Sequence, residues 1–230
     1  MRRAAPGVAV GLLSVVVVMG VSGCGSNAGA ATSSAPQAGG VAPAPSAPAA
    51  AKAANSSLAG LVVIPAGYVP GDAADPDEHT GSFTRESYLS TLSASPAEDR
   101  ALLLNAAFAE GYQAYRTSAD RKKHFTVQIF RVSSKAKAGI LRDGFWDQET
   151  HSRGFAVPGV PDALTDARIV VSTAAGRTEA VAESSFVVGT LVTQISVSQT
   201  GDLTADLTPD TALVAAITKQ QKQSLSRKSG

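Results

Sequence analysis

Residues 25–57 are the feature that most limits what this chain can fold into. The stretch consists almost entirely of alanine, proline, serine and glycine, as in SSAPQAGGVAPAPSAPAAAKAA, and has almost no bulky apolar side chain. Such a segment cannot bury enough apolar surface to offset the entropy lost on ordering it. We therefore predict a disordered tether with a root-mean-square span of roughly 30 Å. Any folded core must come from the residues that follow it.

The segment before the tether has the order of a bacterial export signal. Arg2 and Arg3 precede an apolar run over residues 8–19, and small residues follow that run up to Gly23. A charged start, an apolar run and a small-residue processing site are typical of a secretory signal peptide. The run is shorter than the roughly 20 residues that a membrane-spanning helix needs. The sequence predicts a signal peptide over residues 1–23 and export by the general secretory route.

Cys24 is the one cysteine of the chain and directly follows that signal, in VSGC. This motif resembles the lipobox of bacterial lipoproteins, whose cysteine becomes the new N-terminus. The resemblance implies cleavage between Gly23 and Cys24 and a diacylglycerol thioether on the Cys24 sulfur. A second acyl chain, such as palmitate, makes membrane attachment stable where one chain is marginal. We therefore expect a lipid-anchored protein of the cell envelope. Residues 24–57 would hold its domain at the outer face of the cytoplasmic membrane.

Alternating apolar side chains predict strands beyond residue 58. In HFTVQIFRV, Phe125, Val127 and Ile129 alternate with polar residues, and the turn ADRKK joins this segment to YQAYRTS as an antiparallel hairpin. The other predicted strands are a short buried one at the start of LVVIPAGYVP, which Pro65 and Gly67 end, and ARIVVST, TEAVAESSF and GTLVTQISVSQ near the end of the chain.

Capping residues and apolar spacing predict three helices. The first begins at Ser95, the second spans about residues 134–151, and the third begins at Thr208 and dissolves into KQQKQSLSRKSG, whose residues 226–230 are a frayed basic tail. Helices that interrupt a sheet built mainly from hairpins indicate an α+β domain. We predict one such domain over residues 58–225, with a mainly antiparallel sheet and about three helices packed chiefly on one face.

Several turn and packing motifs carry a family resemblance. The lipobox, the tether, IPAGYVP, AAFAEGYQAY and VPGVPDA resemble uncharacterised actinobacterial cell-envelope lipoproteins. The order of strands and helices is loosely similar to that of PsbP-like lipoproteins and, more distantly, to that of the extracellular sensor domains of mycobacterial kinases. The resemblance implies an α+β fold at the cell envelope, with a binding or scaffold role.

No catalytic constellation stands out in the sequence. Ser134 and Lys137, in SKAK, have the S-x-x-K spacing of penicillin-recognising enzymes, and KSG at residues 228–230 echoes their K-T-G strand. No S-D-N motif lies between them, and residues 228–230 fall in the predicted tail instead of a strand. A helix N-cap explains Ser134 without chemistry. We predict no catalytic residues and a protein that is not an enzyme, with an unrecognised hydrolase as an alternative.

The sequence also predicts no metal site and no cofactor. The three histidines lack the spacing to another histidine, cysteine or carboxylate that a zinc helix requires; they are His79, His124 and His151. The acidic residues after the first strand lack the order of an EF-hand and are interpreted as a solvated loop; they are Asp72, Asp75, Asp77 and Glu78.

A groove between helix and sheet is the predicted ligand site. Phe145 and Trp146 are adjacent on a helix, so they point about 100° apart and cannot both face one core seam. Such grooves are common ligand sites, and Tyr112 and Tyr115 would supply polar-tipped walls; plain core packing is the alternative. Near-balanced charge, formally +1, and 5% aromatic residues exclude a nucleic-acid binder. We expect a binding protein for a lipid-like, apolar or amphipathic ligand or an envelope partner protein, with a structural assembly factor as a further alternative.

Overall fold

Alternating apolar and polar side chains build one antiparallel sheet. The computed structural model describes residues 58–72 and 78–228, and within them the sheet has seven strands. The strands are β1 (Tyr68–Pro70), β2 (Gly81–Phe83), β3 (Glu110–Ser118), β4 (Lys123–Arg131), β5 (Leu164–Ser172), β6 (Arg177–Val188) and β7 (Leu191–Asp202). Their order across the sheet is β1-β3-β4-β7-β6-β5, and β2 also pairs with β3. Each of these pairs is antiparallel, so the predicted α+β class with a mainly antiparallel sheet is confirmed.

Four helices and one 3-10 turn accompany the sheet in the part of the chain that the structure describes. They are the turn Ala59–Leu61, α1 (Arg85–Thr91), α2 (Pro96–Asn105), α3 (Lys135–Trp146) and α4 (Thr211–Lys228). Helix α1 was not predicted, because it is only seven residues long and rich in serine and threonine, which are weak helix formers. Its start is fixed locally by a capping box between Thr84 and Ser87.

Each face of the sheet has its own apolar core. On the α4 face, Phe125, Val127 and Ile129 of β4 pack in one buried cluster with Val214 and Leu225 of α4. The opposite face, here called the α3 face, carries Phe130 in a second cluster contributed by α1, α2 and α3. Three of the four helices therefore pack on the α3 face, in agreement with the predicted arrangement.

The aromatic centre of the α3 face is Phe130. Its ring centroid lies 5.3 Å from that of Phe83, 5.3 Å from that of Tyr88 and 5.2 Å from that of Phe145. Edge-on and tilted pairs at these distances add to the stabilisation from area burial. This cluster fixes α1 and the second half of α3 against one end of the α3 face.

The short strand predicted at the start of LVVIPAGYVP, ended by Pro65 and Gly67, is wrong. The 3-10 turn ends at Leu61, residues 62–67 belong to no strand, and the segment joins the sheet only at β1. Its backbone is instead bound by Gln221 of α4, whose side-chain Oε1 accepts from the Val63 N–H at 2.8 Å and whose Nε2 donates to the Leu61 carbonyl at 2.9 Å. A buried glutamine thus replaces the neighbouring strand as the hydrogen-bond partner of this segment.

Helix boundaries also differ from the prediction. Helix α3 begins after the predicted N-cap Ser134, whose Oγ accepts from the Lys137 N–H at 3.2 Å, but it ends at Trp146 instead of near residue 151. Helix α4 begins at Thr211 instead of Thr208, because Asp210 Oδ1 accepts from the Leu213 N–H at 3.1 Å, and it continues to Lys228, where the sequence predicted an earlier end. The polar run in α4 misled the prediction, because Gln221 is fully buried with its hydrogen bonds made and continues the inward stripe.

Candidate functional site

A polar groove on the α3 face is the candidate site. It lies between the end of α3 and the middle of strands β4, β7 and β6, and its volume is about 200 Å³. Its wall is formed by Phe145, Trp146 and Glu149. This volume lies below the range of about 300–1,000 Å³ that is usual for drug-sized ligands, so the groove suits a small molecule or one residue of a longer one.

Strand register explains why the groove floor is polar. Successive side chains of a strand point to opposite faces, and paired residues on neighbouring strands point to the same face. Two rows of paired polar residues cross β4, β7 and β6 on the α3 face; they are Gln128–Gln194–Ser185 and Thr126–Ser196–Glu183. The floor therefore offers amide, hydroxyl and carboxylate groups where a closed core would have apolar ones.

The first row continues beyond the groove and is held by hydrogen bonds. Gln128 Nε2 donates to Gln113 Oε1 at 2.6 Å, and Gln113 Nε2 donates to the His79 carbonyl at 2.9 Å. Gln113 is 3% exposed, so these bonds satisfy an amide that would otherwise be buried without partners. The chain of amides holds one end of the floor in place.

Three carboxylates surround one guanidinium at the other end of the groove. Arg168 on β5 places Nη2 2.8 Å from Glu149 Oε2 and Nη1 3.0 Å from Asp166 Oδ2, and Nη1 also contacts Glu183 Oε1. We call Glu149, Asp166, Arg168 and Glu183 the Arg168 cluster. Two of its members, Glu149 and Glu183, line the groove. With all its groups ionised, this end of the groove carries a net negative charge.

The two buried carboxylates of the cluster have opposite pKa shifts. Burial is the largest single influence on Asp166 and by itself would raise its pKa. Hydrogen bonds from the Ser152 N–H, the Arg168 guanidinium and the Arg153 N–H together outweigh burial, so the pKa of Asp166 is lowered. For Glu183, burial raises the pKa; the hydrogen bond from Arg168 opposes the rise, and the negative charge of Glu149 adds to it. The fully buried Asp166 thus stays ionised to lower pH than an ordinary aspartate, whereas Glu183 takes up a proton at higher pH than an ordinary glutamate.

His151 lies beside this cluster and stacks on Trp146. The two ring centroids are 4.0 Å apart and the rings are tilted by only 9°. His151 Nε2 lies 2.8 Å from the Trp146 carbonyl. Because a carbonyl oxygen only accepts, Nε2 carries the hydrogen and donates it. The other nitrogen, Nδ1, is buried 3.7 Å from Glu183 Oε1 and has no hydrogen-bond partner within residues 58–72 and 78–228.

His151, Asp166 and Glu183 are residue types that ligate metals. Their ligand atoms lie within 4.8 Å of one another. The guanidinium of Arg168, however, already contacts both carboxylates and balances part of their charge. Spacing along the sequence gave no sign of this group, because its members come from a loop, from β5 and from β6.

The structure brings two of the four predicted groove residues together. Phe145 and Trp146 both line the groove, as their positions on the helix indicated. Tyr112 pairs with Ile129 and packs on the α4 face, away from the groove. Tyr115 lies on the α3 face, but its hydroxyl contacts His124 Nδ1 and it is not one of the groove-lining residues.

The residues of the groove floor and of the Arg168 cluster were not predicted from the sequence. A signal for the floor was present in TQISVSQ, where Gln194 and Ser196 alternate with Ile195 and Val197. That alternation predicts a strand with one polar face. It does not show which polar residues of other strands are paired with it, because that requires the register.

Other predicted residues have local roles or lie outside the described residues. Lys137 Nζ donates to Asn105 Oδ1 at 2.8 Å, which directs this lysine to α2. The Asp72 N–H donates to Glu78 Oε2. The predicted lipidation and cleavage residues Cys24 and Gly23, the tether, and Asp75 and Asp77 lie outside the described residues. No helix within residues 58–72 and 78–228 is both long enough and apolar enough to cross a membrane.

Comparisons with known proteins identify no family for this chain. No protein-family model matches the chain, and no curated protein matches it. Among solved structures, the chain is similar to the extracellular domain of PknH from Mycobacterium tuberculosis, with a TM-score of 0.39 and 8% identity over 74% of this chain and 96% of that one. A likeness this remote does not bear on the function of the present chain.

Proposed function

We propose that this chain is a lipid-anchored, extracytoplasmic binding protein whose domain holds a small polar ligand in the groove beside α3. The signal peptide, the VSGC motif at Cys24 and the tether predicted from the sequence support the anchor and the location. The polar floor changes the expected ligand from an apolar one to one with hydroxyl, amide or amine groups. No catalytic role is needed to explain the groove.

The proposal rests on the unpaired hydroxyl of Ser185. The residue is 1% exposed and lines the groove, yet its Oγ is buried with no hydrogen-bond partner among the described residues. An unpaired buried polar group costs about 1–3 kcal/mol. The neighbouring Ser184 points to the α4 face, where its Oγ hydrogen-bonds Thr218 Oγ1 at 2.5 Å. A polar ligand group in the groove would give Ser185 the partner that the protein gives Ser184.

The first test weighs the chain by native mass spectrometry after isolation from its native host in mild detergent. We expect a reproducible added mass beyond the lipid anchor. A bare mass at high loading would refute the proposed binding function.

Two serine variants then locate the ligand. Ser185→Ala removes one ligand hydrogen bond, so we expect binding to weaken about two- to tenfold with stability unchanged or raised. The matched control Ser184→Ala leaves the fully buried Thr218 without its partner, so we expect a loss of about 1–3 kcal/mol in stability and unchanged binding. Equal binding by wild type and Ser185→Ala would remove the ligand from this groove.

A further inference from the structure

The geometry of the groove points to the class of its ligand. We propose that the groove takes a ligand with a protonated amine, and that Glu149 and Glu183 bind this ammonium group. The inference rests on the proposed binding function and goes beyond it, because it names the charge of the ligand and the end of the groove at which that charge lies.

The balance of charge at this end of the groove favours a cation. The Arg168 cluster contains three carboxylates and one guanidinium, and all three contact that guanidinium. No lysine or arginine lines the groove in the described part of the chain. A phosphate or carboxylate ligand would therefore meet repulsion from Glu149 and Glu183, whereas a cation would reduce the repulsion between them.

Glu183 has one carboxylate oxygen, Oε2, with which a ligand could form a hydrogen bond. Glu183 lines the groove, and its contacts with Arg168 and His151 both run through Oε1. No hydrogen bond to Oε2 is made within residues 58–72 and 78–228. The Glu183 side chain is 14% exposed, so an ammonium placed there would exchange water for a carboxylate in a poorly solvated site. Charge-assisted hydrogen bonds of this kind are about twice as strong as neutral ones.

Ser185 supports an ammonium ligand independently of charge. Its unpaired Oγ lies two residues from Glu183 on β6, on the same face of the sheet. An ammonium has three N–H donors and no acceptor, so it can donate both to a carboxylate and to a hydroxyl. The serine oxygen, which accepts from no described residue, matches a donor-only group.

An organic amine fits better than a metal ion. A divalent cation needs several oxygen ligands, and the inner oxygens of Asp166 and Glu183 are in contact with Arg168. The groove also extends past the cluster to the aromatic wall and the amides of Gln128 and Gln194, which would contact the uncharged part of an organic ligand. The Arg168 cluster alone does not explain that part of the groove.

Trp146 allows a direct test, because it is the only tryptophan of the chain and it lines the groove. Its fluorescence, excited selectively, would be titrated with glucosamine, glucose and N-acetylglucosamine at neutral pH, where most of the glucosamine is protonated. These probes share hydroxyl groups for the polar floor and differ in the charge at one position. Hydrogen bonds to a charged group predict that glucosamine binds about tenfold more tightly than either neutral sugar.

Three glutamine variants assign that preference to residues. Glu149→Gln and Glu183→Gln should each reduce the preference for glucosamine severalfold while the neutral sugars bind as before. Glu149 is 53% exposed, so its variant tests the inference even where Glu183→Gln alters the fold. Glu179→Gln is the matched control, because Glu179 is on the same strand and face as Glu183 but does not line the groove.

The other outcomes separate the inference from the proposed function. Equal binding of glucose and glucosamine by the wild-type chain would overturn the amine preference and leave the groove as a binding site. A response of Trp146 to Zn²⁺, with no preference among the sugars, would replace the amine site by a metal centre. A tryptophan signal that none of these probes changes would overturn the amine site, whereas the proposed binding function is refuted only by a bare mass in the native mass spectrum.

Discussion

Replacing Arg168 by leucine tests whether the Arg168 cluster is held together by its one guanidinium. The Arg168 side chain is 19% exposed, Asp166 is fully buried, and Glu183 is 14% exposed. Removing one partner of a buried ion pair costs about 3–5 kcal/mol, because the remaining charge stays buried without compensation. Glu149 is 53% exposed and adds little to this cost. We expect Arg168→Leu to lower the free energy of unfolding by about 3–5 kcal/mol at neutral pH.

The pH dependence of this loss identifies its cause. In the wild type, the pKa of Asp166 is lowered, so its stabilising contribution exists above the unfolded-state pKa and disappears as the pH falls through the folded-state value. The pKa of Glu183 is raised above its ordinary 4.5, so the stability linked to its protonation is present below 4.5 and lost as the pH rises through the folded-state value. Without Arg168, both folded-state pKa values rise. The variant therefore regains stability as the pH falls.

Urea unfolding at neutral pH and at about pH 5 measures the loss of stability and its dependence on pH. Arg131→Leu is the matched control: Arg131 Nη1 lies 2.8 Å from Glu110 Oε1, but both side chains are 37% exposed, so we expect a loss of only about 0–1 kcal/mol. A loss below about 1 kcal/mol for Arg168→Leu, or an equal loss at both pH values, would refute the reasoning.

Two further predictions concern the helix beside the groove and the anchor. On α3, Gly144→Ala would push a Cβ into the Leu102 side chain, so we expect it to lower the free energy of unfolding by about 1–3 kcal/mol. Gly139→Ala has open space for its Cβ and should raise the free energy of unfolding by about 0.5–1 kcal/mol. Thermal unfolding compares the two variants, and equal effects would contradict the close approach of α2 to α3. Cys24→Ala should leave the precursor unacylated and uncleaved by the lipoprotein peptidase; membrane fractionation with mass analysis checks this, and a processed, acylated variant would rule out the anchor.

The parts of the fold that the sequence predicts well are those in which neighbours along the chain are neighbours in space. The β3–β4 hairpin follows from alternation around one polar turn, and the last three strands pair as consecutive neighbours. The segment before β1 was harder, because Leu61 and Val63 bind a side chain about 160 residues away. No local pattern can show that Gln221, within a polar run, is a buried hydrogen-bond partner.

The candidate site was predictable to a similar extent. The geometry of one helix was enough to place Phe145 and Trp146 at the groove. The floor depends on pairing between strands, so a change of register by one residue would send Ser185 and Gln194 to the opposite face. The chemistry of the groove is therefore a property of the sheet, and sequence analysis of the helix alone made the site look more apolar than it is.

The length of α3 links the fold to the groove. The helix ends at Trp146, whose carbonyl accepts from the Glu149 N–H at 3.2 Å and also from the side chain of His151 at 2.8 Å. Asp166 in turn accepts from the N–H groups of Ser152 and Arg153 at 2.7 and 2.8 Å, so β5 fixes the chain that carries His151. The same carboxylate binds Arg168.

This arrangement decides which residues can report on function. A change at Asp166 or His151 alters the helix end, the stacking on Trp146 and the Arg168 cluster together, so its effects on binding and on stability cannot be separated. Ser185 accepts no hydrogen bond from any described residue, and the outer carboxylate Glu149 is largely exposed. Substitutions at these two positions change the polar groups of the groove while leaving the supports of α3 in place, which makes them the informative sites for testing the proposed ligand site.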